Sequence, residues 1–479
     1  MAFSPVKASE HITDKYGRYL RTIFSTDNDC YNKQLQDSLK NMKDFSAGPY
    51  LDVSDSFEKG KSLEELITEG LISSGFRRIS MPLSRPLYKH QEMAIRKVAR
   101  DQNLIVSTGT GSGKTESFLI PVLNHILREH EQGKLNKGVR ALLIYPMNAL
   151  ANDQVERLRA LLADCPEITY GSYTGQTKET YRDALAEYKQ LNDGAVPKSN
   201  ELISREQMKV APPHILITNY AMLEYLMVRP GDSVFFEDAN ARKWKYIVLD
   251  EAHVYSGSSG IEVAMLLRRL KARLNNDRIN YILTSATLGD EKSNEDVVAF
   301  GVNLCNSPFS TENIVRAFRV SPGLCDAGDS HPADFYKELA SLLEQENDDA
   351  ASAMIAPFVK GKQQTSVDEQ IYEMLLASRD YAQLKRISAS TRTIREIARE
   401  MNWTEDALVD FVAVASRAEK NGDRLFDARY HMFLRATESV FITLQPSNKL
   451  FLTRKNSHVE PDGTDYHVFE IATCRACHL

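Results

Sequence analysis

Ser107-Thr108-Gly109-Thr110-Gly111-Ser112-Gly113-Lys114-Thr115-Glu116 is the stretch that decides the fold. It lies between a short apolar run, Asn103-Leu104-Ile105-Val106, and a segment whose apolar residues recur at helical spacing. A glycine-rich turn between a strand and a helix can hold phosphate, because its backbone N–H groups point inward and the helix presents its positive end. The stretch therefore predicts a phosphate cradle. A glycine-rich turn that merely precedes Lys-Thr is the alternative.

Lys114 and Thr115 give this cradle its chemistry. A lysine at this position reaches the β and γ phosphates of a triphosphate, and the threonine hydroxyl takes one coordination place on Mg²⁺. Thr108 stands where the general pattern has its first glycine, and we treat it as a variant of the loop. ATP and Mg²⁺ are therefore the expected cofactors.

Upstream of the loop, Tyr88 and Gln91 are candidates for holding the adenine base. A glutamine amide donates and accepts at once, which suits the donor and acceptor edge of adenine, and the tyrosine ring can stack on the base. A solvated glutamine on a helix is the plain alternative.

The composition of the 479-residue chain is that of an ordinary globular protein, with 42% hydrophobic residues, 26% charged residues and a net charge of −6. This balance excludes a wholly basic nucleic-acid coat, so nucleic-acid binding would need a local groove. No apolar run reaches the length of a membrane span, and residues 1–15 lack the apolar core of a signal peptide. We expect a cytoplasmic protein without membrane contact.

Cysteine usage excludes a disulfide framework, because six cysteines in a chain of this length are too few. Cys474 and Cys477 form a C-x-x-C pair that supplies half of a tetrahedral zinc site, and the rest would come from His478 or from residues elsewhere. A terminal cysteine pair without metal is an equal alternative.

Apolar strands alternate with helices after residue 85. The predicted strands are 103–106, 141–145, 168–170, 214–217, 246–249 and 281–283. Each is followed by polar residues, as expected for a parallel sheet that is covered on both faces and collects ligands at its carboxyl edge. The polar residues should therefore meet along one rim.

Asp250 and Glu251 directly follow one of these strands. At that position an aspartate can anchor Mg²⁺, and a glutamate can orient and deprotonate the attacking water. An Asp-Glu pair is common on any protein surface. Here it follows a buried strand and precedes His253 and the triplet Ser285-Ala286-Thr287, which favours the catalytic interpretation.

The loop, the Asp-Glu-Ala-His box and the Ser-Ala-Thr triplet resemble the first motor domain of a superfamily 2 DEAD/DEAH-box helicase. The amino-acid sequences of residues 108–116, 145–154 and 218–226 resemble those of large bacterial helicases with a cysteine-rich zinc module. This group includes the MrfA-like repair helicases and the Druantia and DISARM phage-defence helicases. The strong part of the resemblance covers about residues 85–290.

The resemblance implies roles for named residues. Lys114, Asp250, Glu251 and His253 would be catalytic, Thr115 and Asp250 would hold magnesium, and Ser285 and Thr287 would couple nucleotide state to nucleic-acid grip. The nucleotide would be bound by Tyr88, Gln91, Thr108, Gly109, Thr110, Gly111, Ser112, Gly113, Lys114, Thr115 and Glu116. One nucleic-acid strand would pass along Pro146, Asn148, Thr174, Gly175, Thr218 and Asn219, although Asn148 departs from the arginine of many DEAD-box relatives. Cys474 and Cys477 would belong to a zinc module.

The expected fold is α/β: a RecA-like parallel sheet with helices on both faces, flanked by a helical N-terminal segment and a mixed α+β C-terminal region. We expect an accessory segment at 1–84, the motor domain at 85–319, a helical linker at 320–425 and the β-rich start of a truncated cysteine-containing module at 426–479. The linker contains either a winged-helix-like pair or plain helices.

The expected function is that of an ATP-binding motor in a nucleic-acid-dependent ATPase, a helicase or translocase acting on DNA by the resemblance. No second motor domain follows the Ser-Ala-Thr triplet, so we expect weak hydrolysis by this chain and a second motor domain or partner polypeptide, with defence-system subunits as further partners. The alternative is a nucleotide-dependent DNA-binding scaffold or switch that does not unwind. A P-loop kinase is a distant third.

Overall fold

The computed structural model describes residues 4–471 except residues 25, 27, 41–44, 110, 289–290, 326–327, 360–364, 438 and 445–447. The chain divides into two compact units, Phe57–Arg319 (the sheet unit) and Met1–Ser56 with Val320–Leu479 (the flanking unit). The four-part division expected from the sequence is finer and stays a prediction. Among the described residues, no helix combines the length and apolar character needed to cross a membrane.

The elements are numbered along the described chain. The strands are β1 Ser46–Ser54, β2 Lys59–Ser62, β3 Pro86–Tyr88, β4 Leu104–Ser107, β5 Ala141–Tyr145, β6 Tyr170–Ser172, β7 Glu201–Leu202, β8 Ile215–Asn219, β9 Tyr246–Leu249, β10 Asn280–Ser285, β11 Ile314–Arg316, β12 Arg392–Thr393, β13 Glu419–Lys420, β14 Asp423–Arg424, β15 Asp427–Leu434, β16 Val440–Thr443, β17 Leu450–Phe451, β18 Ser457–Val459 and β19 Asp465–Ile471. The helices are α1 Pro5–Ile23, α2 Asp29–Lys40, α3 Leu63–Thr68, α4 Lys89–Val98, α5 Lys114–Glu131, α6 Asn148–Leu161, α7 Tyr181–Leu191, α8 Arg205–Val210, α9 Tyr220–Val228, α10 Asp238–Ala241, α11 Gly257–Leu274, α12 Asn294–Cys305, α13 Ala333–Glu344, α14 Asp348–Ile355, α15 Val367–Leu376, α16 Arg379–Ile387, α17 Ile394–Met401 and α18 Glu405–Arg417.

An eight-stranded sheet forms the centre of the sheet unit, in the order β11-β4-β10-β9-β5-β8-β6-β7. All of its neighbouring strands are parallel. Each of the six predicted strands overlaps a strand of this sheet, so the predicted RecA-like α/β fold is confirmed. The edge strands β7 and β11 were not predicted, because runs of two and three residues carry no readable periodicity.

Both faces of the sheet are covered. In β4, Leu104 and Val106 pack into one hydrophobic core while Ile105 packs into the other. In β5, Leu143 belongs to the first core and Leu142 to the second. Because side chains alternate between the two sides of a strand, a strand buried on both faces reads as a continuous apolar run. This explains why β4, β5 and β9 were visible in the sequence.

The flanking unit is mixed α+β, as predicted for the C-terminal region of the chain. Helices α13 to α18 pack around one core together with Leu51 and Val53 of β1. A second core joins Leu20 of α1 to Val440 and Ile442 of β16. Thr393 and Glu396 form a capping box at the start of α17.

Strand β1 was not predicted, because the N-terminal segment was expected to be helical. The strand pairs antiparallel with β15 and β12, and its register shifts between Ala47 and Tyr50, where the sequence carries Gly48-Pro49. The Gly-Pro pair reads locally as a turn. Only partners several hundred residues away make this segment a strand.

We expect Leu143→Ala, in the middle of the sheet, to lower the free energy of unfolding of the sheet unit by about 2–5 kcal/mol, because Leu143 is fully buried. The matched control is Leu191→Ala on α7, where the side chain is 77% exposed and the expected change is within about 0.5 kcal/mol. Urea unfolding can be followed by the fluorescence of Trp244, a buried residue of this unit, in a Trp403→Phe background. Equal midpoints for the two leucine variants would contradict the assigned core.

Candidate nucleotide site at the carboxyl edge of the sheet

The loop after β4 and the acidic pair after β9 meet at one edge of the sheet. Strand β10 lies between β4 and β9 and carries Ser285 at its end. The Lys114 Nζ atom lies 2.9 Å from Glu251 Oε1, and both side chains are largely shielded from solvent. The structure therefore brings together the amine and the acid that the sequence analysis placed at one site.

The loop 107–113 is held in shape by its own small residues. Gly111 and Gly113 have φ values of 75° and 70°, in the left-handed region that glycine adopts without strain. The Ser112 hydroxyl lies 2.6 Å from Thr108 Oγ1 and 2.8 Å from the Gly109 carbonyl oxygen. The Thr108 N–H donates to the Ser285 carbonyl. Thr108, the variant position, thus ties the loop to β10, and helix α5 begins at Lys114.

The start of α4 packs against this loop. Gln91 accepts a hydrogen bond from the Tyr88 N–H at 2.8 Å and donates one to the Gly113 carbonyl at 3.0 Å. His90 Nε2 lies 2.8 Å from the Ser112 carbonyl oxygen. Both ends of the Gln91 amide are thus engaged by backbone groups. Tyr88 and Gln91 lie beside the loop, and their contact with adenine stays a prediction.

His90 was missed by the sequence analysis. Its ring is fully buried, and burial lowers its pKa. A neutral ring can donate from Nε2 to the Ser112 carbonyl, so we infer that tautomer. The sequence shows only a histidine directly before Gln91, at a position typical of any helix. Its contact with the loop becomes visible only in the folded structure.

Asp250 and Glu251 are oriented by the end of β10. Asp250 Oδ1 accepts hydrogen bonds from the Thr284 hydroxyl and from the Glu251 N–H. Glu251 has a φ of 48°, an unusual value for a residue with a side chain. Thr284 was also missed, although it directly precedes the Ser-Ala-Thr triplet.

Burial raises the pKa of Asp250, and the neighbouring Glu251 carboxylate raises it further. The Thr284 hydroxyl, the Glu251 N–H and the Lys114 ammonium act in the opposite direction. The site therefore holds a carboxylate whose charge is only partly compensated, which is an environment that favours a bound cation.

The predicted coupling residues form a connected series. His253 Nδ1 lies 3.4 Å from Glu251 Oε2 and 3.1 Å from the Ser285 hydroxyl. The Thr287 N–H donates to the same Ser285 oxygen at 3.1 Å. The four residues are thus in direct succession from the acid to the end of β10, while their roles in coupling stay predictions.

The six residues predicted to line a nucleic-acid path lie at or just after the carboxyl ends of β5, β6 and β8, which are neighbours in the sheet. Asn219 donates to Asn148 at 2.7 Å, and Gly175 is exposed. Thr218 and Thr174 are buried, and the Thr218 hydroxyl donates to the Tyr173 carbonyl. The structure therefore leaves Pro146, Asn148, Gly175 and Asn219 accessible, while the two threonines support the backbone.

Four candidate site residues lie outside the described residues: Thr110 of the loop, and the candidate zinc ligands Cys474, Cys477 and His478. Within the described part of the chain, no group of three or more His, Cys, Asp or Glu side chains is arranged to hold a metal ion. Cys165 and Cys305 are buried free thiols.

Comparison with known proteins identifies the domain in which this site lies. The DEAD/DEAH box helicase family model matches residues 88–295, the segment that contains the loop, the acidic pair and the Ser-Ala-Thr triplet. Residues 88–295 are a DEAD/DEAH box helicase domain. Gln91, at the start of α4, and Ser285, at the end of β10, both lie within this range. The helicase domain therefore includes every element that shapes the site.

The similarity to curated relatives covers more of the chain than the helicase domain. The chain is 31% identical over 398 residues to the Druantia protein DruE of Escherichia coli, a match covering 64% of this chain and 21% of the relative. It is 28% identical over 292 residues to the ATP-dependent helicase hrq1 of Schizosaccharomyces pombe, covering 55% and 24%. The chain thus spans about a quarter or less of these curated relatives. A crystal structure of the DUF1998 helicase MrfA bound to DNA matches with 21% identity and a TM-score of 0.39, covering 72% of this chain and 43% of that chain.

We expect Gly113→Ala to destabilise the sheet unit by about 1–2 kcal/mol through its left-handed backbone alone. A Cβ there would also lie 2.3 Å from Gln91 Nε2 and 2.9 Å from Glu116 Oε2. Gly109→Ala is the matched control, since a Cβ at Gly109 meets nothing within 4 Å. Thermal unfolding of both variants measures the difference. A Gly113→Ala protein as stable as Gly109→Ala would contradict the loop geometry.

Asp250→Asn is expected to raise the melting temperature at pH 7.5. Because the folded-state pKa of Asp250 is raised, the folded protein binds more protons than the unfolded chain between the two pKa values, and stability falls as pH rises through that window. The gain over wild type should therefore shrink as the pH falls toward the ordinary pKa of aspartate. Asp164→Asn, at an exposed position, controls for net charge. A gain that does not change with pH would refute this account.

Proposed function

We propose that this chain carries the ATP-binding motor of a nucleic-acid-dependent ATPase, a helicase or translocase that acts on DNA. The observation that carries the proposal is the 2.9 Å contact between Lys114 and Glu251, with Asp250 beside it, at the end of a parallel sheet in a helicase domain. The curated relatives named ATP-dependent helicases support the reaction class.

The residues present fit a magnesium nucleotide. Gly111 and Gly113 adopt left-handed backbone conformations that turn the loop around the start of α5, and the space beside Gly109 is open. The Thr115 hydroxyl and the Asp250 carboxylate are oxygen donors of the kind that Mg²⁺ prefers. Lys114 and the loop N–H groups would hold the phosphates. When bound, magnesium would neutralise charge on the phosphate oxygens during transfer.

Glu251 is the proposed base. Its carboxylate is held by the Lys114 ammonium on one side and lies near His253 on the other. A carboxylate in this position can accept the proton of an attacking water. Its strained backbone supports a functional role, because such conformations persist where the surrounding structure enforces them.

The proposed nucleic-acid path runs along the ends of β5, β8 and β6. Asn148 and Asn219 present paired amides there, and Gly175 leaves room for close approach of a backbone. Helicases of this class hold mainly phosphates and sugars, for which amide and N–H groups are suitable donors. DNA is proposed over RNA on the sequence resemblance, and parallel titrations with single-stranded DNA and RNA test that choice.

Full turnover is proposed to require a second motor domain, which the resemblance implies and which would supply an arginine to the transferred phosphate. Zinc binding by Cys474 and Cys477, and a role beside defence-system subunits, follow from the same resemblance and remain proposals. The rival function is a scaffold or switch that binds ATP and DNA without moving. Strand displacement by the assembly with its second motor domain would favour the helicase, whereas nucleotide binding without displacement would favour the scaffold.

We expect Lys114→Ala and Glu251→Gln to reduce DNA-stimulated ATP turnover by at least about 100-fold, as removal of central catalytic groups does. Lys114→Ala should also weaken nucleotide binding, whereas Glu251→Gln should retain it because the amide preserves the shape of the side chain. ATPase assays with and without single-stranded DNA, on this chain and with a second motor domain added, measure turnover. Normal hydrolysis by the completed Glu251→Gln protein would show that another group is the base.

A further inference from the structure

A cluster of charged and polar side chains lies between the nucleotide loop and α6. Glu116, in the first turn of α5, accepts a hydrogen bond from the guanidinium of Arg157 in α6. Its second oxygen, Oε2, is buried, lies against Gly113 and makes no hydrogen bond to any described residue. Glu116 thus contacts the loop with one oxygen and α6 with the other.

Tyr145 adds a third group to this cluster. It is the last residue of β5, and its buried hydroxyl makes no hydrogen bond to any described residue. Burial and the Asp250 carboxylate raise the pKa of Tyr145, while the Arg157 guanidinium acts to lower it. The Asp250 N–H donates to the carbonyl of the preceding residue, Ile144, so the end of β5 lies beside Asp250. The cluster extends from the acidic pair to α6.

The other end of α6 belongs to the proposed nucleic-acid path. The helix begins at Asn148, whose side-chain oxygen accepts from Asn219. From Asn148 to Arg157 is about 13 Å along the helix axis at 1.5 Å per residue. One rigid helix therefore contacts Glu116, beside the nucleotide loop, through Arg157 and the proposed strand path through Asn148.

We propose that Arg157 is a positioning residue that couples the two sites. Through its contact with Glu116, it determines by how much bound nucleic acid increases the affinity for nucleotide. The inference rests on the proposed function and adds a route that is separate from the Ser285 and Thr287 series. A strand that shifts the start of α6 moves Arg157 with it, because the helix is rigid. Glu116 then transmits that shift to Gly113.

The experiment measures thermodynamic coupling, which is reciprocal between two ligands. The dissociation constant of a fluorescent, non-hydrolysable ATP analogue is measured on this chain without and with saturating single-stranded oligo-dT, and the ratio of the two constants is the coupling factor. Arg157→Gln is expected to reduce the factor by about fivefold or more, the lower end of typical allosteric couplings. The constant without DNA should change by less than about twofold, since Arg157 does not belong to the nucleotide-binding loop.

Arg78→Gln is the matched control. Arg78 forms an ion pair with Glu167 in the same unit, and the side-chain exposures of that pair, 45% and 17%, resemble the 39% and 21% of Arg157 and Glu116. The control should keep the wild-type coupling factor. Arg157→Lys, which preserves the charge, should retain more of the factor than Arg157→Gln and guards against a variant that fails to fold.

A double-mutant cycle identifies the partner. If Arg157 acts through Glu116, adding Glu116→Gln to Arg157→Gln should not lower the coupling factor any further. A wild-type factor in Arg157→Gln, equal loss in Arg78→Gln, or additive losses in the double variant would each overturn the proposal. A wild-type protein that binds both ligands with a factor of one would overturn the coupling while the proposed function stands. A wild-type protein that binds no nucleotide would overturn the proposed function itself.

Discussion

The contact between the Lys114 ammonium and the Glu251 carboxylate is the interaction on which the rest of the site depends. It joins residues 137 positions apart in the chain, and it exists because β4 and β9 run in the same direction on either side of β10. Parallel strands end on one edge, so the loop after β4 and the acids after β9 can meet only across the end of β10. That strand contributes Thr284 to the acid and the Ser285 carbonyl to the loop. A single topological constraint thus arranges three chain segments.

Much of this arrangement was readable from the sequence, and the reason is physical. Strands buried on both faces are continuous apolar runs, and the polar residues that follow them must converge, so the proximity of Lys114 to Asp250 and Glu251 could be predicted. The contact of Thr284 with Asp250 could not be predicted, because a threonine inside a strand does not indicate that its hydroxyl faces an acid on the next strand. β1 was hidden for a related reason: its pairing partners in β12 and β15 are remote in sequence. Local sequence patterns indicate which residues are buried, but they do not indicate which remote residues will form hydrogen bonds with each other.

The site also concentrates the unfavourable features of the sheet unit. Glu251 adopts a left-handed backbone conformation, the Asp250 carboxylate is partly buried, and the Tyr145 hydroxyl makes no hydrogen bond to the described residues. Each costs free energy that a neutral, relaxed surface would not. The two apolar cores on either face of the sheet offset these costs. This distribution is typical of proteins that give up stability at a functional site.

The eight-stranded sheet ends in very short strands on both sides, β7 with two residues and β11 with three. A border strand this short offers few free backbone groups with which a foreign chain could extend the sheet. The unit is therefore protected against fibre-like stacking even though its interior strands are rich in branched apolar residues. For the same reason, another macromolecule that binds this unit would contact its loops, helices and side chains rather than extend its sheet.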